Sequence, residues 1–148
     1  NLLCQKMPEV EVVFAGWDVS TFEIPFKHRN MGIMSVDRLP KLYSQCDLCL
    51  IISNTNLSLL PLEVMASNSV AVCSKGANST WLVNEENSVL VEYAPRNIAE
   101  TMEYYLTHPD KLAEIRSKGL AFAQSTSWEK EAEKVRDALL GGIKEDEQ

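Results

Sequence analysis

Residues 47–66 read Asp47-Leu48-Cys49-Leu50-Ile51-Ile52-Ser53-Asn54-Thr55-Asn56-Leu57-Ser58-Leu59-Leu60-Pro61-Leu62-Glu63-Val64-Met65-Ala66. Leu48 to Ile52 is a continuous apolar run bounded by Asp47 and Ser53, the pattern of a strand buried on both faces. A small polar loop follows. Pro61 then opens a short helix, expected over Pro61 to Ser67, where its missing N–H is one the first turn leaves unbonded anyway. A buried strand that runs through a polar loop into a helix is the repeating unit of an α/β protein.

The same alternation extends both ways. Glu11 to Phe14, closed by Ala15-Gly16, and Asn30 to Ile33 are strand candidates upstream; Val70 to Cys73 and Val89 to Val91 follow downstream. Asp37 is the expected N-cap of a helix turning Leu39, Leu42, Tyr43 and Cys46 inward. Ile98, Met102, Tyr105 and Leu106 share one helical face. Asp110 is expected to cap a helix with Leu112, Ile115 and Phe122 inward. Thr126-Ser127-Trp128-Glu129 fits a capping box before a stripe of Trp128, Ala132, Val135 and Leu139, with a stop at Gly141-Gly142. Strands separated by helices require crossovers. The expected fold is therefore α/β and doubly wound, a mostly parallel Rossmann-like sheet with helices on both faces. Ligands of such sheets bind beyond the carboxyl ends of the strands, here the loops after Phe14, Ile33, Ile52 and Cys73.

Composition narrows the function. The chain has 148 residues, 45% of them hydrophobic and 24% charged, as expected of one folded domain. We read residues 1–140 as that domain, beginning after most of its first strand, and 141–148 as a frayed tail. With 14 Lys+Arg against 21 Asp+Glu the net charge is −7, which argues against a nucleic-acid partner. No apolar run approaches the about 20 residues of a membrane span. Of the four cysteines, Cys46 and Cys49 form a C-x2-C with no second pair and no suitably spaced His, so all four, Cys4 and Cys73 included, read as buried reduced thiols of a cytoplasmic protein. There is no phosphate-binding G-x-x-x-x-G-K-[ST], no G-x-G-x-x-G and no Asp-x-Asp metal pair. No metal or cofactor is expected.

The richest segment is the loop after Ile52. Free backbone N–H groups and the dipole of the helix that follows make it attractive to a phosphate. Glu63 has two readings: it stabilises the helix N-terminus, or it accepts two hydrogen bonds from a vicinal diol such as a ribose. Lys75 reads as either a phosphate contact or a solvated lysine. Lys27-His28-Arg29, before a strand, reads as a solvated loop or a phosphate contact, and Trp81 as a core residue or a base-stacking platform.

Tyr43-Ser44-Gln45-Cys46-Asp47-Leu48, the polar loop, Pro61-Leu62-Glu63-Val64-Met65-Ala66 and Val70-Ala71-Val72 together resemble the donor half of retaining family-4 glycosyltransferases of GT-B fold. Phe14-Ala15-Gly16 matches that family's F-x-G, and Ser127-Trp128 the S-W that starts its last helix. Within the family the chain is most similar to a branch of bacterial rhamnosyltransferase-like enzymes. The resemblance implies that Glu63, the second member of a Glu-x7-Glu pair, grips the ribose of a nucleoside-diphosphate sugar. It assigns the backbone amides of Ser58, Leu59 and Leu60 to the donor's phosphate and sugar, with Asn54, Thr55, Gly76 and Asn78 around the pocket and Gly16 admitting the donor to the backbone.

Departures accompany it, one being Asn68-Ser69-Val70 where the family has G-x-P after the helix. Thr55 stands where the family's first glutamate contacts the transferred sugar, and the basic pair that neutralises the diphosphate belongs to the first strand and helix of the domain. The implied reaction is retaining transfer of a sugar to a glycan or lipid-linked acceptor held by a separate N-terminal domain, in polysaccharide biosynthesis. The full enzyme would have at most a peripheral association with a membrane, and the chain alone would be inactive. A sugar-nucleotide epimerase and a non-catalytic Rossmann-like interaction module are the alternatives.

Overall fold

A computed structural model of the chain describes residues 1–145. Five short strands pair in parallel throughout, as crossover connections require. Strand β1 (Val12–Phe14) lies beside β2 (His28–Asn30), with Val12 opposite His28. Strands β3 (Leu48–Ile51), β4 (Val70–Ser74) and β5 (Val89–Val91) form a second ladder in that order, with Leu48 opposite Val70 and Val72 opposite Val89. The helices are α1 (Leu2–Lys6), α2 (Leu39–Tyr43), α3 (Leu60–Ala66), α4 (Pro95–Thr107), α5 (Pro109–Ser125) and α6 (Trp128–Glu145).

Alternation along β4 builds the core. Ala71 and Cys73 join Ile51, Val64, Met65 and Val83 on one face; Val70 and Val72 join Val89, Val91, Leu112 and Ile115 on the other. All five residues of β4 are buried, because helices cover both of its faces. Helix α5 serves both clusters, Leu112 and Ile115 in one and Ala123 in the other. The doubly wound reading is met in this ladder.

The structure departs from the sequence reading in detail. The five strands form two hydrogen-bonded ladders rather than one, and no helix joins β1 to β2. Strand β2 ends at Asn30 instead of beginning there. Asn30 Nδ2 donates to Asp18, its Oδ1 accepts the Gly32 N–H, and Gly32 turns the chain away at φ +56°. Of the Lys27-His28-Arg29 triplet, His28 and Arg29 are thus strand while Lys27 stays in the preceding loop, and both Lys27 and Arg29 pair with Glu11. Strand β3 is not buried on both faces: Leu50 is 47% exposed, since β3 is the outer strand of its ladder. Helix α1 was not anticipated; it buries Leu3 and Cys4 and ties Lys6 to Glu103 of α4.

Caps shift by a residue. Asp37 lies inside a 3-10 turn, Val36–Arg38, rather than capping it. Asp110 occupies the first turn of α5 behind Pro109. At α6 the acceptor is Ser127, whose Oγ takes the Lys130 N–H at 3.2 Å, so Thr126 is one residue too early. Helix α6 also continues through Gly141-Gly142 to Glu145, and residues 146–148 lie outside the described residues. Its Trp128, Val135 and Leu139 are exposed rather than turned inward.

All four cysteines are free, but only Cys4 and Cys73 are buried; Cys46 and Cys49 are half-buried. A hydrogen bond from the Cys49 thiol holds Cys46 below the ordinary thiol pKa, burial opposing it and the Arg29 charge helping. The same bond, with burial, raises Cys49. Burial pushes Cys73 up to about 12. Cys46 is therefore expected to be the first thiol alkylated by iodoacetamide as pH rises, because thiolate is the reacting form. Peptide mapping across pH 6–9 checks this, and earlier labelling of Cys73 would contradict it.

Candidate functional site

The carboxyl ends of β3, β4 and β5 point the same way, so the loops leaving them converge. They enclose a shallow cleft of ≈ 170 Å³. The loop after β3 contributes Ser53 and Asn54. Ser74 ends β4 and is followed around the rim by Lys75, Gly76, Asn78 and Ser79, with Tyr93 entering after β5.

Ser74 ties two of these loops together. Buried at the end of β4, its Oγ donates to the Ser53 carbonyl at 3.2 Å and lies 3.4 Å from the Ser53 N–H. Ser74→Ala would leave both Ser53 groups short of a partner, at about 1–2 kcal/mol. Faster amide exchange at Ser53 and a small drop in denaturation midpoint are the expected readouts; unchanged exchange would show the tie to be dispensable.

Beyond Ser53 the loop is held by local hydrogen bonds. The Thr55 N–H donates to Ser53 Oγ at 3.2 Å and the Ser58 N–H to Asn56 Oδ1 at 2.9 Å. Leu57 is buried beneath the loop. Ser58 is left-handed at φ 56°, a conformation that costs a serine about 1 kcal/mol. Such strain marks the segment leading into α3 as held by its surroundings. On the far side, the Ser79 and Thr80 N–H groups fold back onto the Gly76 carbonyl.

Of the residues singled out from the sequence, Asn54, Lys75, Gly76 and Asn78 line the cleft. Thr55, Ser58, Leu59, Leu60 and Glu63 lie on the adjoining loop and in the first turn of α3, outside the lining. Gly16, at φ +93°, follows β1 in the other ladder; its N–H donates to the Gly32 carbonyl at 2.8 Å. The Glu63 side chain is exposed, and among the described residues its carboxylate forms no hydrogen bond or ion pair. The Tyr43 hydroxyl pKa is raised, first by burial and then by the Glu63 charge.

Trp81 is no core residue. It is 62% exposed, with its Nε1–H on the Asn78 carbonyl at 3.0 Å, bracing the turn that carries Asn78. Sequence reasoning missed Ser53, Ser74, Ser79 and Tyr93. Only the loop position of Ser53 and Ser74 at strand ends could have marked them; nothing local distinguishes Tyr93. Among the described residues no three His, Cys, Asp or Glu side chains come together as a metal site, and no helix is long and apolar enough to cross a membrane.

Comparison with known proteins now bears on this geometry. Residues 1–137 match the model of the glycosyl transferase-like family. The O-antigen biosynthesis protein RfbC of Myxococcus xanthus is 30% identical over an aligned length of 138, covering 90% of this chain and 11% of that protein. Sucrose-phosphate synthase from Thermosynechococcus elongatus superposes with a TM-score of 0.73 at 16% identity, over 95% of this chain and 42% of its own. Anabaena HepE, solved with UDP and glucose, gives 0.74 at 16% identity, over 95% and 44%. The chain thus spans about a tenth of RfbC and under half of each of these two solved structures, and its fold is that of one half of a GT-B protein. It is a member of the glycosyl transferase-like family.

Proposed function

We propose that this chain is the donor-binding half of a glycosyltransferase, which takes a sugar from a nucleoside-diphosphate sugar and passes it, with retention, to a glycan or lipid-linked acceptor. The observation that carries this reading is the convergence of three polar loops at the carboxyl ends of β3, β4 and β5, where an α/β sheet binds its ligands. HepE's complex with UDP and glucose and RfbC's role in O-antigen biosynthesis support the ligand class and the biosynthetic setting. Family membership favours this over an epimerase or a non-catalytic module.

In this reading Glu63, whose carboxylate has no protein partner among the described residues, takes the ribose hydroxyls. The Ser58, Leu59 and Leu60 amides, with Gly16, Asn54, Thr55, Gly76 and Asn78, face the phosphates and sugar. Catalysis is positioning plus stabilisation of the departing diphosphate, by hydrogen-bond donors rather than a metal. The acceptor belongs to a separate N-terminal domain, and the reaction to the cytoplasm, where four free thiols persist.

The test is an amide NMR titration with UDP, GDP, dTDP and ADP, in this chain and in one extended upstream. Shifts clustered at Ser53–Glu63 and Lys75–Ser79 for one nucleotide are expected, and EDTA should leave them unchanged. Glu63→Ala should weaken that binding at least tenfold, as loss of hydrogen bonds to a charged acceptor does. Silence from all four nucleotides in both chains would sink the donor reading. Undiminished affinity in Glu63→Ala would sink the role of Glu63 alone. Sugar transfer by the 148-residue chain without a second domain would overturn the division of labour.

A further inference from the structure

The charge of the cleft is opposite to that of the chain. In a sequence with 21 acidic residues against 14 basic ones, no carboxylate lines the cleft, and its single charged side chain is Lys75. Around it are uncommitted donors. Among the described residues, the side-chain amides of Asn54 and Asn78 and the hydroxyl of Ser79 make no hydrogen bond within the protein, although Ser79 as a residue is buried. An ammonium beside free amide and hydroxyl donors attracts an oxyanion. The volume sets the scale: ≈ 170 Å³ is below the roughly 300–1,000 Å³ of sites that enclose a whole small ligand, so one group of a larger molecule fits here.

Lys75 is anchored at its root and loosely held at its tip. Its backbone N–H donates to the Val91 carbonyl at 2.8 Å, which seats the residue between the ends of β4 and β5. Its Nζ lies 3.8 Å from Glu85 Oε1, its one ionic partner among the described residues, and the Glu85 side chain is 80% exposed. An exposed pair of that kind favours contact by about fivefold at most. A charge-assisted hydrogen bond to an oxyanion favours it by about tenfold or more. Exchange of Glu85 for an oxyanion is therefore downhill.

We propose that Lys75, with the free side-chain donors of Asn54, Asn78 and Ser79, forms an oxyanion subsite that holds one anionic group of the donor, Glu85 being the counter-ion it leaves on binding. This rests on the donor-binding reading and deepens it. The anion is either a phosphate of the diphosphate or a carboxylate on the sugar, and the two separate experimentally.

Calorimetry would use the nucleoside diphosphate identified by the NMR titration, together with its glucose and glucuronate conjugates. The proteins are the native chain, Lys75→Gln, Glu85→Gln and the control Lys118→Gln on α5. Lys75→Gln should weaken binding at least tenfold and flatten its dependence on salt, while Lys118→Gln changes neither. A loss shared by all three ligands identifies the phosphate; a loss confined to the glucuronate conjugate identifies a sugar carboxylate. Glu85→Gln should tighten binding by up to about fivefold. Lys75 is half exposed and bonds β5 through its backbone, so Lys75→Gln is expected to fold, which its amide spectrum would verify. Native affinity and salt dependence in Lys75→Gln would overturn the subsite and leave the donor reading intact. Failure of the native chain, extended or not, to bind any nucleotide overturns both.

Discussion

Met65→Ala is expected to lower the unfolding free energy by about 3–4 kcal/mol, within the range for large-to-small changes in a packed core. Met65 is fully buried, in the cluster where α3 meets β4 and α5. Truncation removes the thioether and leaves a void between α3 and α5. Both helices end in ordered turns: the Asn68 and Ser69 N–H groups bond back to Met65 and Val64, and Thr126 Oγ1 caps the Ala123 carbonyl. Neither helix can settle into the void without breaking those bonds, so little of the loss is recovered. For a chain of this size the melting temperature should fall by roughly 6–15 °C. A fall under 2 °C would mean that the α3–α5 contact relaxes freely.

Gly119→Val is expected to cost about 2–3 kcal/mol, by overpacking the same contact from the other side. A Cβ at Gly119 would sit 2.8 Å from the Asn87 carbonyl oxygen and 3.2 Å from Met65 Cγ. The methionine can give way; the carbonyl belongs to a backbone tied to Asn84 by the Asn87 and Ser88 N–H groups and cannot. Gly119→Ala tests the balance more finely. Helix propensity favours alanine by about 1 kcal/mol, yet the approach to Asn87 opposes it, and net destabilisation is expected. Combined with Met65→Ala, the alanine at 119 should cost less than it does alone, because one of its two obstacles has gone; the Asn87 carbonyl keeps the compensation incomplete. Strict additivity of the two changes would show that they do not touch.

Gly119 also illustrates what is legible in a sequence. Within a helical pattern a glycine reads as a weak point, whereas here it is a point of contact, and that depends on Asn87, distant along the chain. Local rules did well where the cause is local: α3 begins within a residue of its expected start because Pro61 suits a first turn, and β4 is buried throughout, as its apolar run requires. They failed where a distant partner decides. Trp81 is large enough for any core, but its N–H finds the Asn78 carbonyl and its ring stays outside. Strand β2 starts two residues and ends three residues before its expected bounds because Asp18 and Asn30 form a hydrogen bond across the loop.

The candidate site divides in the same way. The loops that hold Asn54, Gly76 and Asn78 were found because carboxyl ends of strands are where such sheets bind ligands, and the family resemblance named those residues within them. Tyr93 and the Ser53–Ser74 tie were not, since both depend on which loops meet.

By itself the sequence determined the alternation of strands and helices, hence the parallel, doubly wound architecture, and its motifs carried the resemblance to the family. Apolar periodicity and crossover handedness are properties of the chain read in order. Only the tertiary structure decided that the strands pair as two ladders, that the stripe on α6 faces outward, and that Lys75 is the one charge in a cleft free of carboxylates. Those outcomes depend on which surfaces the folded chain brings together, and packing and electrostatics act across space between residues far apart in sequence.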